Sequence, residues 1–147
     1  MTGFLIAMIS GALMSIQGVF NTDVTKSSSI WVAAGFVQLT ALAMCVVMWF
    51  VTGRPDVMAL FSVDRKYALL GGVIGAFITY TVVRSMSSLG TAKASLTIVV
   101  TQVAAAYLIE LFGLFGSEKS DFSWGKFIGL AIAIVGLVVF NMVGQDV

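Results

Sequence analysis

Five apolar segments, separated by shorter polar ones, occupy most of the chain. A membrane-spanning α-helix needs about 20 mostly apolar residues, because each residue rises about 1.5 Å and the hydrocarbon core is about 30 Å thick. The pattern therefore predicts five transmembrane helices, over residues 2–22, 30–52, 67–89, 92–116 and 126–143. The connection over residues 53–66 contains the only proline and predicts the longest loop, with room for a short surface helix.

The composition is that of a membrane protein. Of the 147 residues, 59% are hydrophobic and 10% are charged, and the mean hydropathy is +1.05. Such a chain has too little polar surface to cover a soluble globule. We therefore predict an all-α integral membrane protein in which residues 1–147 form a single transmembrane domain in contact with membrane lipid.

Features that the sequence lacks argue against several classes of function. A formal net charge of +1, without a cluster of lysines and arginines, argues against a nucleic-acid partner. The single cysteine, Cys45, has no internal disulfide partner, and the absence of histidine removes the commonest metal ligand. We expect no metal and no cofactor. No nucleophile, base and orienting group occur together, so we predict that the protein is not an enzyme and has no catalytic residues.

Hydrogen-bonding side chains recur inside the predicted helices. In the first helix, Ser10, Gln17 and Asn21 are seven and four residues apart and therefore share one stripe. Counting residues along each helix places Gln17 about 7 Å from the membrane midplane. The same count places one polar group from each of three other helices about 3 to 4 Å from the midplane. These residues are Gln38, Tyr80 and Gln102. Amide and phenol groups at one level predict a solute-binding layer; the alternative is that they join helices by hydrogen bonds.

Two charged residues lie within the predicted spans. Glu110 is costly to bury in hydrocarbon and has no cation four residues away on its own helix, so we predict a role in proton coupling or in a charge pair. Arg84 lies about 9 Å from the midplane on one side and Glu110 about 7 Å on the other, too far apart to pair within one upright protomer. An antiparallel dimer would bring them to one level. The alternative for Arg84 is a long side chain that reaches the membrane surface.

Small residues, tryptophans and loop charges complete the predicted topology. Two sets of small residues predict close helix packing, within the protomer or across a dimer: Gly71, Gly72, Gly75 and Ala76 in the third helix, and Gly125, Gly129, Ala133 and Gly136 in the fifth. The three tryptophans are predicted to anchor helix ends at the membrane surface. Asp121 or Ser123 is expected to cap the fifth helix. Five basic residues on the N-terminal side, against three opposite, predict a cytoplasmic N-terminus and a C-terminus across the membrane.

Four segments carry a resemblance to a known family: SGALMSIQGVFN at residues 10–21, LLGGVIGAF, SSLGTAKASLTIVVTQ and LIELFGLFG. Together they resemble the YdcZ-like family of five-helix bacterial membrane proteins, a branch of the drug/metabolite transporter superfamily. The resemblance covers essentially the whole chain. It implies half of an inverted-repeat transporter fold in the bacterial inner membrane. Such a half would be expected to form a homodimer, or a heterodimer with a similar five-helix chain.

The resemblance also implies roles for single residues. Gln17 and Asn21 correspond to the family's polar pair in the first helix, and Gln102 to a glutamine of the fourth. Glu110 occupies the acidic position before FGLFG, where aspartate is more usual in the family. The four-helix exporters of the superfamily exchange protons for cations at a carboxylate in the first helix; this chain has Gln17 there, which argues against that route.

Two hypotheses of function remain. The first is a transporter that moves a small organic solute, with Gln17, Asn21, Gln38, Tyr80 and Gln102 in the binding site and Glu110 exchanging a proton. The second is a membrane scaffold or partner subunit without its own solute path, in which the polar residues only join helices. Flux through reconstituted protein discriminates between them.

Overall fold

Five long α-helices make up most of the protein. The computed structural model describes residues 1–143, in which the helices are α1 (Thr2–Ser27), α2 (Ile30–Val51), α3 (Gly71–Leu89), α4 (Thr91–Phe112) and α5 (Trp124–Met142). Short 3₁₀ helices cover Val57–Ser62, Lys66–Leu70 and Leu114–Gly116. All five spans, with the third counted from Lys66, are long and apolar enough to cross a membrane. The prediction of an all-α membrane protein with five spans is confirmed.

Helix α1 is longer than the sequence predicted. The predicted end of the first helix at residue 22 is too early, because α1 continues to Ser27. Two local interactions support the extra turn. The hydroxyl of Thr25 donates to the carbonyl oxygen of Asn21 at 2.8 Å, and Lys26 pairs with Asp23 at 3.1 Å, three residues apart on the helix surface.

Helix α4 is shorter than predicted, which changes the depth expected for Glu110. Its last residue is Phe112, and Gly113 follows in the left-handed conformation with φ of 63°, a conformation that costs glycine little. The helix therefore ends four residues before the predicted boundary at 116. Glu110 now lies about 13 Å from the middle of α4, close to the helix end, rather than the roughly 7 Å from the midplane that we expected.

Serine side chains cap the starts of α2 and α5. Ser29 accepts a hydrogen bond from the backbone N–H of Val32 at 3.2 Å, and Ser123 accepts one from Lys126 at 3.5 Å. These bonds satisfy backbone donors that a helix leaves unpaired at its first turn. Of the two capping candidates for α5, Ser123 is confirmed as the N-cap residue.

The helices divide into two compact units, which we describe separately. The N-terminal unit covers Met1–Ser87, and in it α1 packs on α2 while Val83 and Met86 of α3 are buried. The C-terminal unit begins at Ser88, and in it α4 packs on α5 with Ala94, Val100 and Tyr107 buried. Most other apolar side chains in the described range are exposed on the helix surfaces. Such surfaces suit lipid, which is as apolar as the side chains themselves.

Candidate functional site

A groove between α1 and α2, which we call the N-terminal groove, has a volume of about 690 Å³. Three polar residues lie among its apolar walls: Gln17, Asn21 and Thr40. The other lining residues are Leu13, Met14, Ile16, Phe20, Val24, Phe36, Val37 and Ala41. Its lining contains no charged side chain. This combination of an apolar wall and a few polar groups is typical of sites for small organic ligands.

Asn21 is the notable polar group of this groove. Its residue is 7% exposed, yet within residues 1–143 its side-chain amide has no hydrogen-bond partner, since only its backbone carbonyl accepts a bond, from Thr25. The amide is not sealed off from the groove, because the side-chain atoms that are fully buried without a partner within residues 1–143 are the hydroxyl oxygens of Ser95 and Ser120. Thr40 differs, because its hydroxyl donates to the carbonyl oxygen of Val37 at 2.9 Å.

Gln17 precedes Asn21 by four residues and therefore lies one turn away on the same face of α1. It is exposed, and both residues line the N-terminal groove. The structure thus brings together the polar pair of the first helix. Each amide offers two donors and one acceptor oxygen, so the pair can bind a carbonyl, hydroxyl or amide group.

Gln38 lies outside the lining of this groove and faces α3 instead. A Cβ atom added at Gly75 would lie 3.0 Å from the Nε2 atom of Gln38, so the missing side chain of Gly75 gives the amide its room. This contact is of the helix-joining kind that we considered for every glutamine. Gln38 nevertheless lies about 4 Å from the middle of α2.

Tyr80 is held by aromatic contacts with α2. Its ring stacks on Trp31 with centroids 4.9 Å apart, and the edge of Trp31 also meets Phe77 at 6.1 Å. Trp31 was expected to anchor a helix end, and it packs against α3 as well. Tyr80 lies five residues, about 7.5 Å, along α3 from Gly75, which is the neighbour of Gln38. We expected Tyr80 and Gln38 to lie at the same depth in the membrane. Gln38 instead contacts α3 about one and a half turns away from Tyr80.

Gln102 and Arg84, two further predicted site residues, are exposed. Gln102 lies about 1 Å from the middle of α4 and makes no side-chain hydrogen bond to the described residues. Arg84 lies about 6 Å from the middle of α3, and no ion pair to it occurs within residues 1–143. Both side chains are therefore open to partners outside their own units.

A second groove, which we call the C-terminal groove, lies between α4 and α5 and has a volume of about 420 Å³. It contains an ion pair, in which the Nζ atom of Lys126 lies 3.1 Å from the Oε2 atom of Glu110. The two side chains are 53% and 50% exposed. The remaining lining residues are Val103, Ala106, Tyr107, Gly129, Leu130 and Ala133.

Lys126 is a site residue that the sequence reasoning missed. We searched for a cation on the helix of Glu110, whereas the partner comes from the next helix, sixteen residues later. The signal was present in the sequence: a short connection joins antiparallel neighbours, so the end of α4 and the start of α5 must meet. Each charge is also unfavourable for its own helix dipole, an acid at a C-terminus and a base at an N-terminus, and the pair offsets both effects.

Tyr107 and the connection after α4 hold this corner in place. The Tyr107 hydroxyl accepts a hydrogen bond from the backbone N–H of Ser123 at 3.2 Å and donates to the carbonyl oxygen of the same residue at 3.3 Å. The N–H of Ser120 donates to the backbone oxygen of Glu110 at 2.9 Å. In addition, the Nζ atom of Lys126 lies 5.8 Å from the centre of the Tyr107 ring.

The opposite end of the α4 and α5 pair is closed by another lysine. The Nζ atom of Lys93, at the start of α4, donates to the backbone oxygen of Asn141 at 3.3 Å. Asn141 lies in the last turn of α5, where the helix dipole favours a cation. Within residues 1–143 no group of three or more acidic or cysteine side chains is placed to hold a metal ion.

Comparison with known proteins gives two matches. A family model described as "Putative inner membrane exporter, YdcZ" matches residues 2–139, a range that contains both grooves. The chain is also similar to the inner membrane protein YdcZ of Escherichia coli strain K12, with 24% identity over 135 residues, covering 90% of this chain and 89% of the relative. No solved structure matches the chain significantly.

Proposed function

This chain belongs to the YdcZ family of multi-pass inner membrane proteins, and from that premise we propose that it exports a small organic solute across the bacterial inner membrane. The family description supports export, and the five membrane-spanning helices suit it. The same description speaks against an enzyme.

The Asn21 amide, which has no hydrogen-bond partner within residues 1–143, carries the proposal. It opens onto the N-terminal groove, where Gln17 adds a second amide and no charged side chain is present. A solute with a carbonyl, hydroxyl or amide group would supply the missing partner, while its apolar body would contact the groove walls. We therefore expect an uncharged polar group on the solute at this site.

The positions of the glutamines support a site near the middle of the membrane. Gln17, Gln38 and Gln102 each lie within about 4 Å of the centre of their own helix. Transporters built from inverted repeats bind solutes at this depth and expose them alternately to the two sides. We include Gln38 and Gln102 in the proposed solute path on this ground, and Tyr80 because it lies at the middle of α3.

We also retain a role for Glu110 in coupling, now with Lys126 as its partner. Breaking this 3.1 Å pair would release the Lys126 ammonium from the Glu110 carboxylate. An antiparallel copy would no longer bring Arg84 and Glu110 to one level, because they lie about 6 Å and about 13 Å from the middles of their helices, and an Arg84 contact would also have to replace the Lys126 pair. Charge reversal of Arg84 and Glu110 together tests this, since a double variant that restores flux requires direct contact between the two side chains.

A dimer is part of the proposal because α5 offers a free face. None of its residues from Trp124 to Met142 is buried, and no atom of the described residues lies within 4 Å of a Cβ added at Gly129 or Gly136. Gly129 and Gly136 line grooves between α5 and α4, so the surface that would face a second copy in lipid is the exposed apolar side of α5, which includes Ile128, Ile132 and Val135. The same face would serve a scaffold without a solute path, which is the competing hypothesis.

Flux through proteoliposomes tests the function directly. We expect the purified protein to move at least one solute from a panel of small polar organic compounds, and Asn21→Leu to lower that flux at least tenfold. Ser10→Ala is the matched control, because Ser10 shares the stripe of α1 but its hydroxyl donates to Ile6 of its own helix at 3.0 Å. Absence of flux for every compound, with an intact and stable protein, would favour the scaffold.

A further inference from the structure

We propose that the C-terminal groove is a binding site for a small organic ammonium, and that the ammonium of Lys126 occupies this site when no ligand is bound. The site is separate from the Asn21 site of the proposed function. Ammonium binding in the C-terminal groove does not depend on whether the protein is a transporter.

The groups around the Nζ atom of Lys126 are those that bind ammonium ions. The Glu110 carboxylate lies at 3.1 Å, and the centre of the Tyr107 ring lies at 5.8 Å. A carboxylate supplies the opposite charge, and an aromatic ring within about 6 Å attracts a cation through its electron-rich face. Lys126 therefore shows, inside the protein itself, where a cationic group would be held.

The rest of the groove suits the organic part of such a ligand. Apart from Glu110, Tyr107 and Lys126, its lining consists of apolar or small residues: Val103, Ala106, Gly129, Leu130 and Ala133. Its volume of about 420 Å³ falls within the range of small-molecule sites. An alkyl or benzyl substituent could thus contact these walls while its ammonium faces the carboxylate.

The Tyr107 ring and the backbone of Glu110 are held in place, whereas the Lys126 side chain can move. Tyr107 is 9% exposed and bonded to the backbone of Ser123, and the backbone of Glu110 is held by Ser120. Lys126 is about half exposed, and within residues 1–143 its ammonium makes no hydrogen bond other than that to Glu110. It is the third residue of α5, so its long stem can carry the displaced ammonium to the membrane surface.

The arrangement favours a cation over an anion. A solute carboxylate attracted by Lys126 would also meet the negative charge of Glu110, and it would face the electron-rich side of the Tyr107 ring. An ammonium that replaces Lys126 keeps both favourable contacts. The competing interpretation is that the ion pair only fastens α4 to α5.

Equilibrium binding of benzyltrimethylammonium to the purified full chain in detergent tests the proposal. We expect Lys126→Met, which keeps the stem and removes the charge, to bind the probe at least tenfold more tightly than the native chain. Glu110→Gln should bind at least tenfold more weakly. Lys119→Met is the matched control, because Lys119 lies in the connection between α4 and α5 but does not line the groove, and the affinity of this variant should equal that of the native chain.

A neutral probe of the same shape, 2,2-dimethylpropylbenzene, separates charge recognition from simple partition into the groove or detergent. Its binding should be the same in the native chain and in Glu110→Gln. Unchanged or weaker ammonium binding in Lys126→Met, or a Glu110→Gln variant that binds as well as the native chain, overturns the proposal and leaves the fastening role.

A second measurement on the native chain covers the case in which Lys126→Met does not fold. The rate at which acetic anhydride labels Lys126, read by mass spectrometry, should rise at least threefold with saturating benzyltrimethylammonium, because the displaced amine is free to react. Lys119 provides the internal control and should react at an unchanged rate. A Lys126 rate that stays constant or falls contradicts displacement.

Discussion

The two grooves differ in whether their polar side chains have partners. In the N-terminal groove, Asn21 is buried and its amide has no partner within the described residues. In the C-terminal groove, Glu110 and Lys126 are half exposed and already paired. A polar side chain without a hydrogen-bond partner costs stability and is found where a ligand or a second molecule supplies that partner. A charged pair that is already formed can have a purely structural role. The comparison makes the N-terminal groove the stronger candidate for solute recognition, because the charged groups of the C-terminal groove already have partners.

The largest expected effect on stability comes from the C-terminal corner. Replacing Tyr107 by alanine removes a buried ring and both hydrogen bonds to Ser123, so we expect a loss of about 3 kcal/mol in the free energy of unfolding. Tyr107→Phe keeps the ring and should cost about 1 kcal/mol. Equilibrium unfolding in mixed micelles measures both. Equal losses for the two variants would mean that the ring contributes nothing beyond its hydroxyl.

The next effect has the opposite sign and lies in the N-terminal groove. Asn21→Leu removes an unpartnered amide and adds apolar surface, so we expect it to stabilise the protein by about 1 kcal/mol while flux falls. The same unfolding assay and the proteoliposome assay measure the two quantities on one preparation. If Asn21→Leu destabilises the protein by a similar amount, the amide has a partner that stabilises the fold, and the contrast between the grooves is lost.

A smaller effect tests the contact between α2 and α3. Gly75→Ala would place a methyl group 3.0 Å from the Nε2 atom of Gln38, so Gln38 must move by a few tenths of an ångström, and we expect a loss of about 0.5–1 kcal/mol. Gly72→Ala is the matched control, because no atom of the described residues lies within 4 Å of its added Cβ. Equal unfolding free energies for the two variants would show that Gln38 moves aside freely.

The smallest expected effect on stability comes from the ion pair between Glu110 and Lys126. A double-mutant cycle over Glu110→Ala and Lys126→Ala should give a coupling free energy of about 0.5 kcal/mol, since half-exposed pairs contribute little. A coupling above about 2 kcal/mol would mark the pair as a main structural element of the C-terminal unit. Lys126 would then be too firmly held to give way to a ligand.

The sequence predicted the helices well because a bilayer imposes a simple rule on them. About 20 apolar residues are needed to cross it, and local segments such as Ile30–Val51 meet that need without reference to the rest of the chain. The helix ends were harder. At Thr25 and Lys26, polar side chains bond within the helix and prolong it, while at Gly113 a left-handed residue stops it.

The candidate site was predicted only in part, because depth along a helix does not determine the direction of a side chain. Gln17 and Asn21, which their spacing places on one stripe of the first helix, both line the N-terminal groove. Gln38 of α2 and Tyr80 of α3 lie where these two helices contact each other, which a count of residues cannot show. The Glu110 and Lys126 pair joins two helices across a connection, so the search within one helix missed it.

The two lysine contacts of the C-terminal unit have a mechanical consequence. Lys126 joins α5 to α4 at one end through Glu110, and Lys93 joins them at the other through the backbone of Asn141. Sliding α5 past α4 by one helical turn, about 5.4 Å, would break both contacts at once. Both contacts therefore favour one register of α5 on α4, and a change of register requires Lys126 and Lys93 to leave their partners together.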